Sequence, residues 1–152
     1  MKVTIVGAGI VGYAIAYELA ARGAQVRLVD ARGSGQGATR ASAGVLAPYI
    51  EGHSAALLRL GLCSLDHYDS FIARVAADAQ RPIEYRRSGT LQVARSDGEA
   101  RQLEQAARVL ATSGAAHTYL DGDAARRLEP SLAEGLRAGC SFPSTGMSAC
   151  PR

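Results

Sequence analysis

The pattern of apolar and polar residues at the start of the chain predicts a strand, a helix and a second strand. Residues 3–6 and 26–29 are short runs rich in Val, Ile and Leu, which are typical of buried parallel strands. Between them, apolar residues continue one face of a helix from about residue 10 to residue 22, and Gly23 is placed to end it. This order predicts a βαβ unit with two parallel strands.

Residues 54–79 have the three- and four-residue apolar spacing of a long amphipathic helix. The apolar stripe consists of Leu57, Leu58, Leu62, Leu65, Tyr68, Ile72 and Val75. A helix on a membrane surface or against a partner would show the same stripe. Asp66, Asp69 and Asp78 interrupt any basic face, however, and this favours packing in a core.

The rest of the chain predicts a mixture of shorter elements after Pro82. They are strands over residues 83–87 and 90–94, a helix over 98–112 with Asp97 as its N-cap, a shorter helix capped by Asp121 that ends before Pro130, and a strand over 136–142. Such a mixture is typical of the beginning of a second, α+β domain.

The turn between the first strand and the first helix carries the glycine pattern GxGxxG at residues 7–12. Gly7 would permit a tight turn, Gly9 would let a pyrophosphate approach the backbone, and Gly12 would let the helix pack closely on the strand. Asp30 follows the second strand, where an acidic residue accepts hydrogen bonds from ribose hydroxyls. Together these features predict a Rossmann-like dinucleotide site.

The motif by itself does not separate FAD from NAD, although Asp30 disfavours NADP because it would repel a 2′-phosphate. The loop over residues 31–48 is long for a connection of this kind and is rich in Gly, Ser, Ala and Thr. Small residues let a backbone lie against a large flat ligand, and this favours FAD. An NAD-dependent dehydrogenase is the less favoured alternative.

Five segments extend the pattern along the chain: VTIVGAGIVGYAIAYELAARGAQVRLVD, GATRASAGVLAP, YRRSGTLQVA, LEP and FPSTG. With them the sequence resembles the D-amino-acid-oxidase-like family of FAD-dependent oxidoreductases, in particular the bacterial glycine oxidases associated with thiamine biosynthesis. The resemblance implies an α/β fold and an enzyme that oxidises glycine, sarcosine or a D-amino acid by hydride transfer to flavin. It implies an FAD-binding unit over residues 1–50, a connecting helical segment over 51–82, and the start of a mixed α+β substrate domain over 83–152.

The resemblance also implies which residues contact the cofactor. Ala31 and Arg32 match positions beside the adenosine. Positions along the pyrophosphate and flavin match Thr39, Arg40, Ser42, Ala43, Gly44 and Leu46. The motif itself contributes Gly7, Gly9, Ile10, Val11, Gly12 and Asp30. We expect neither a catalytic side chain nor a metal ligand, because a flavin supplies the chemistry itself.

Members of the family continue beyond the FPxxG segment for roughly as many residues again, whereas this chain ends at Arg152. The resemblance therefore implies that the substrate-binding residues and the rest of the flavin pocket lie beyond the chain. The alternative from another functional class is a non-catalytic nucleotide-binding subunit that a partner chain completes.

Composition bears on whether the protein binds nucleic acid, spans a membrane or carries a signal peptide. The chain has 17 basic and 14 acidic residues, which are dispersed, and only 5% aromatic residues, so a nucleic-acid interface is disfavoured. No run is long and apolar enough to span a membrane, and glycines interrupt the apolar residues 3–19 that would otherwise resemble a signal peptide. We expect a small-molecule amine or amino acid as the partner, with a homo-oligomer or a second chain completing the fold.

The cysteines and histidines predict no metal site. Cys63, Cys140 and Cys150 are widely spaced without a CxxC pair, which is typical of thiols in a reducing cytoplasm. His53 and His67 have no second ligand at a useful spacing.

Overall fold

The chain divides between Val45 and Leu46 into two units. The computed structural model describes residues 1–50, 54–112 and 115–143. The elements of the first unit are β1 (Lys2–Val6), α1 (Ile10–Ala21), β2 (Gln25–Val29) and α2 (Ala38–Ala41). Those of the second are α3 (Ala55–Ala79), β3 (Thr90–Ala94), α4 (Asp97–Thr112), β4 (Thr118–Asp121), α5 (Gly122–Leu128) and β5 (Ala138–Phe142).

The predicted βαβ unit is confirmed in the first unit. β1 and β2 pair in parallel, with Lys2 opposite Gln25 and Val6 opposite Val29. α1 ends as predicted at Gly23, whose φ of +81° suits glycine and whose N–H donates to the Ala20 carbonyl at 2.9 Å. In the part of the chain that is described, β1 has no strand partner other than β2.

Apolar side chains of the first unit remain at its surface. Val6, Ile10 and Val11 are each at least 65% exposed, and Ala8 is the one buried hydrophobic residue within positions 1–45. Parallel sheets are normally covered on both faces, so this unit has apolar surface left to bury.

The loop after β2 differs from the expectation of an irregular segment, because it contains the short helix α2. Gly37 precedes this helix with a φ of +74°, and its carbonyl accepts from the Ala41 N–H at 3.2 Å. The helical turn fixes the backbone of Thr39.

The long helix predicted over residues 54–79 is confirmed as α3. Ser54 caps it by accepting from the Leu57 N–H at 3.4 Å. Leu65 is the one buried side chain of α3, whereas Leu58, Leu62, Tyr68, Ile72 and Val75 are partly exposed. Packing of the whole apolar stripe in a core therefore stays a prediction. Leu57, which the pattern placed on the apolar face, is exposed instead. No helix within the described ranges is long and apolar enough to cross a membrane.

The strand predicted over residues 83–87 is wrong. This segment forms no strand ladder, and Arg87 instead binds α3. Its Nη2 donates to the Leu65 carbonyl at 2.6 Å, and its Nε lies 2.9 Å from an Asp69 carboxylate oxygen. The ring of Tyr85 stacks on Tyr68 of the same helix. Side-chain contacts to α3 therefore place the segment, and its alternating pattern reflects packing against a helix.

The second unit contains a three-stranded antiparallel sheet in the order β3-β5-β4. The strand β3 is confirmed over the predicted residues, and β5 is two residues shorter at its start than predicted. β4 was not predicted; Tyr119 of this strand pairs with Cys140 of β5. The buried cluster between the sheet and α4 consists of Ala94, Leu103, Ala107, Ala138, Cys140 and Phe142.

Of the two N-caps predicted after residue 90, that of α5 is confirmed and that of α4 lies one residue earlier than predicted. α4 is capped by Ser96, whose Oγ accepts from the Glu99 N–H at 3.2 Å, and not by Asp97 as predicted. Asp97 lies inside the first turn, where its negative charge interacts favourably with the positive end of the helix dipole. Asp121 caps α5 as predicted, because its Oδ1 accepts from the Ala124 N–H at 2.7 Å.

Candidate dinucleotide-binding site

The glycine turn between β1 and α1 has the geometry that its sequence predicts. Gly7 has a φ of +109°, and its N–H donates to the Val29 carbonyl at 2.8 Å, so the turn stays attached to β2. A Cβ on Gly12 would lie only 1.9 Å from the Gly7 carbonyl oxygen. Only glycine at position 12 therefore lets α1 start this close to β1.

Asp30 lies beside this turn and is held there by two backbone donors. One carboxylate oxygen accepts from the Ala8 N–H at 2.8 Å and the other from the Arg32 N–H at 2.7 Å. The bond from Arg32, then the bond from Ala8, and then the positive charge of Arg32 hold the pKa of the Asp30 carboxyl below its usual range. Asp30 is therefore an exposed, ionised acceptor at neutral pH.

The loop after β2 is fastened onto the glycine turn by two further bonds. Gly35 donates its N–H to the Ala8 carbonyl at 2.7 Å. Thr39 Oγ1 accepts from the Ile10 N–H, the first amide of α1, at 2.9 Å. Sequence reasoning missed Ala8 and Gly35, since their contribution is through backbone groups that any residue carries.

A third contact of the same loop, between Tyr13 and Ser34, was also missed. The hydroxyl of Tyr13 on α1 shares a hydrogen bond with the hydroxyl of Ser34. The signal available in the sequence was the alternation of glycine with the polar residues Ser34 and Gln36 over positions 33–37.

The other predicted contact residues of the loop are exposed and bonded locally. Arg40 donates to the Gln36 side-chain oxygen at 3.2 Å, and Ser42 Oγ accepts from the Gly44 N–H at 3.0 Å. Ala31 and Ala43 are exposed as well. Leu46 belongs to the second unit. The cofactor contacts assigned to these residues stay predictions.

The residues present fit a dinucleotide. Each oxygen of Asp30 accepts one backbone bond and keeps capacity for a ribose hydroxyl. The start of α1 presents its positive dipole end, and Ile10 and Val11 are exposed there. The positive end of the helix dipole would therefore face a pyrophosphate, beside a carboxylate already placed for the adenosine ribose.

A separate cavity of about 600 Å³ lies within the second unit, against α4 and β3. Its size is typical of small-molecule sites. Glu99 is the one charged residue among the described residues that line it, and this carboxylate already accepts from the Arg95 N–H at 2.7 Å. The described residues of its lining therefore offer no cationic partner to the carboxylate of an amino acid.

Cys140 and His67, which lie in the described part of the chain, show no sign of a catalytic role. Cys140 is fully buried in β5, and burial raises the pKa of its thiol, which makes it unreactive. His67 is exposed on α3. His53 and Cys150 lie outside the described residues. Within the described ranges, no three His, Cys, Asp or Glu side chains are grouped to hold a metal ion.

The glycine turn, the carboxylate beside it and the βαβ unit define a dinucleotide-binding protein, and comparison with known proteins identifies its family. The model of the FAD dependent oxidoreductase (DAO) family matches residues 2–152. The chain belongs to this family, whose cofactor is FAD. The expectation of FAD over NAD is thereby confirmed at the level of the family.

Relatives of known structure show the same local fold. The crystal structure of glycine oxidase from Geobacillus kaustophilus superposes with a TM-score of 0.88 and 30% identity over 96% of this chain and 40% of its own. The crystal structure of iminodiacetate oxidase from Chelativorans sp. BNC1 has a TM-score of 0.74 and 28% identity over 98% of this chain and 41% of its own.

A curated relative gives the same picture. The "Putative thiamine biosynthesis oxidoreductase ThiO" of Rhizobium etli is 34% identical over 147 residues, which cover 93% of this chain and 40% of the relative. The chain thus spans about two fifths of the length of these three relatives. The α/β fold and the resemblance inferred from the sequence are confirmed.

Proposed function

We propose that this chain is the FAD-binding N-terminal part of an oxidoreductase that acts on a small amine or amino acid. The observation that carries the proposal is the placement of Asp30, which two backbone bonds hold beside the glycine turn at the start of α1. In this arrangement Gly7–Gly12 receive the pyrophosphate, and Asp30 accepts from the adenosine ribose. Arg32, two residues further on, lies beside the adenosine.

The loop after β2 then orients the rest of the cofactor. Thr39 and Gly35 fasten it to the glycine turn, so residues 40–44 leave the turn in a defined direction. Their exposure lets the backbone lie along the pyrophosphate and the flavin. When bound, FAD supplies the hydride acceptor for the oxidation of the amine. The chain's own residues bind and orient, and none of them is assigned a catalytic role.

For the substrate we propose a small amine that carries a carboxymethyl group, such as glycine or sarcosine. Glycine oxidase and iminodiacetate oxidase, both similar in structure to this chain, are named for substrates that contain a nitrogen bonded to CH₂–COO⁻. A D-amino acid is the alternative substrate. Residues 83–152 would form the start of the substrate domain, after the connecting helical segment 51–82, and we expect the protein in the cytoplasm.

The cofactor is tested by its release. The longest natural polypeptide that contains this chain is purified, denatured, and its released cofactor identified by chromatography. FAD is expected, because the glycine turn and Asp30 would bind a pyrophosphate and an adenosine ribose, both of which FMN lacks. Recovery of FMN or NAD would contradict the proposal.

The reaction is tested by peroxide release or dye reduction with glycine, sarcosine and D-alanine, each with added FAD. In the long polypeptide we expect turnover that depends on substrate, with glycine or sarcosine faster than D-alanine. The 152-residue chain alone should show none above free FAD, because it spans about 40% of the matched relatives. Turnover by the isolated chain would show that the active site lies within it.

The second candidate is a non-catalytic nucleotide-binding subunit that a partner chain completes. The exposed apolar residues Val6, Ile10 and Val11 favour it, because such a surface is normally covered. Flavin absorbance that appears only after a separate partner chain is added would support this candidate. Flavin bound by the single long polypeptide would support the enzyme.

A further inference from the structure

The backbone conformation at Gly9 does not require a glycine. Gly9 is the N-cap of α1, with φ −85° and ψ −178°, a conformation open to any residue. Yet a Cβ built on Gly9 would lie 2.9 Å from Thr39 Oγ1, closer than side chains normally approach. The atom that excludes a side chain at position 9 therefore belongs to this chain, on the loop after β2.

Thr39 Oγ1 also has a specific partner. It accepts from the N–H of Ile10, which follows Gly9, at 2.9 Å. The first amides of a helix have no partner within the helix, so this bond satisfies a donor that would otherwise need water or a ligand. It also joins α2 to the start of α1.

Thr39 cannot withdraw from Gly9 without losing this bond. The backbone of Thr39 is fixed within α2, where its carbonyl accepts from the Ser42 N–H at 3.3 Å. Rotation of its side chain would move Oγ1 away from a Cβ at position 9, but also away from the Ile10 amide. The cost of a side chain at position 9 is therefore the loss of the Thr39–Ile10 bond.

We propose that Gly9 and Thr39 are a matched pair, in which Gly9 lacks a side chain so that the Thr39 hydroxyl can bind the Ile10 amide. Thr39 is then a positioning residue that fixes the loop after β2 on the dinucleotide turn before any cofactor binds. The pairing is a property of the cofactor-free chain, and only its effect on affinity rests on the proposed FAD function. A glycine needed solely for pyrophosphate approach would not depend on residue 39.

The pair is tested by a double-mutant cycle on the FAD-free, 152-residue chain. Gly9→Ala, Thr39→Ala and the double variant are compared with the parent by NMR hydrogen exchange at the Ile10 amide. Each single change should speed exchange at Ile10 by roughly threefold to tenfold, since each removes one hydrogen bond. The double variant should exchange no faster than Thr39→Ala alone. If its rate increase equals the product of the increases in the two single variants, the two residues act independently and the proposal is overturned.

Two controls separate the pair from general destabilisation. Thr39→Ser keeps the hydroxyl and should preserve slow exchange at Ile10, while unprotected exchange in this variant would contradict the role of Oγ1. Gly12→Ala should be equally harmful with Thr39 or Ala at position 39, because its Cβ would meet the Gly7 carbonyl. If Gly9→Ala does not fold, a folded double variant supports the pair and an unfolded one contradicts it.

An FAD titration of the same variants separates this proposal from the proposed function. If the pair acts before the cofactor, Gly9→Ala should weaken FAD binding clearly with Thr39 present and by less than twofold in the Thr39→Ala background. Equal weakening in both backgrounds would contradict the pair but would leave the proposed FAD function standing. Failure of FAD to perturb the turn at all would instead count against the proposed function, with the exchange results unaffected.

Discussion

The two units of the chain are stabilised in different ways. In the first unit, within residues 1–45, Ala8 is the one buried hydrophobic residue, and polar contacts organise the structure around a turn. Asp30, Gly35 and Thr39 all bond to backbone groups of Ala8 or Ile10. In the second unit a buried cluster that includes Leu103 and Phe142 joins α4 to the antiparallel sheet.

This difference separates what each unit contributes. Hydrogen bonds from polar side chains fix direction and distance, which a ligand site requires. Burial of apolar side chains provides free energy with little directional precision. We therefore expect substitutions in the first unit to alter ligand binding first, and substitutions in the second unit to alter stability first.

The largest effect is expected in the apolar cluster of the second unit. Phe142 is 2% exposed and stacks on Tyr49 with ring centroids 5.4 Å apart. Phe142→Ala should lower the free energy of unfolding by about 3–5 kcal/mol, measured by urea denaturation. Val109→Ala is the matched control, because Val109 is 61% exposed and should change stability little. Equal losses for the two variants would show that the buried cluster does not stabilise the second unit more than its exposed side chains do.

The next effect is expected at the close contact of the first unit. Gly12→Ala would place a Cβ 1.9 Å from a backbone oxygen. It should lower the free energy of unfolding by about 2–3 kcal/mol and disrupt the dinucleotide site. Gly98→Ala on α4 meets nothing closer than Ser96 Oγ at 3.8 Å and should be neutral or stabilising. Thermal denaturation of both variants measures the difference. A neutral Gly12→Ala would show that α1 does not start at β1 as described.

A smaller effect, confined to ligand binding, is expected at Asp30. Asp30→Ala removes a charged acceptor for the ribose and should weaken FAD binding by roughly tenfold to a hundredfold in the long polypeptide. Asp123→Ala, an exposed acidic residue of α5, controls for the loss of one negative charge. An unchanged dissociation constant for Asp30→Ala would mean that Asp30 does not bind the ribose.

The smallest effect is a pH dependence of the first unit. The folded-state pKa of Asp30 lies below its ordinary value of 3.8, so its stabilisation is fully present above that value. It is lost as the pH falls below about 4 and through the depressed folded-state pKa. The difference in melting temperature between the parent and Asp30→Asn should therefore shrink from pH 5 to pH 2.5. If the difference in melting temperature grew on acidification, the pKa of Asp30 would be raised by folding and not lowered.

Much of the fold could be predicted because local signals agreed with the tertiary structure. The first strand, α1 and β3 follow from periodicity bounded by glycine or polar residues. The segment 83–87 could not be predicted correctly, since alternation does not reveal whether its partner is a strand or a helix. β4 has only four residues, and its pairing with β5 joins positions about twenty residues apart. Long-range pairing of so short a segment leaves little local pattern.

The candidate site could be predicted where its function depends on a particular side chain or on glycine, which has none. Gly7, Gly12 and Asp30 lie where the motif requires. The contributions of Ala8 and Gly35 were not predictable, because their backbone groups carry them. The role of Thr39 towards Ile10 depends on α2, which the small-residue composition of the loop conceals.

The most direct test of the dinucleotide site is an NMR titration of the ¹⁵N-labelled chain with FAD, using FMN as the comparison. FAD at millimolar concentration should shift the amides of residues 7–12 and of Asp30, and FMN should leave Asp30 unchanged because it lacks the adenosine ribose. The amides of the cavity in the second unit should stay in place. Shifts confined to the second unit, or unchanged amides in the glycine turn, would contradict the assignment of this turn as the FAD site.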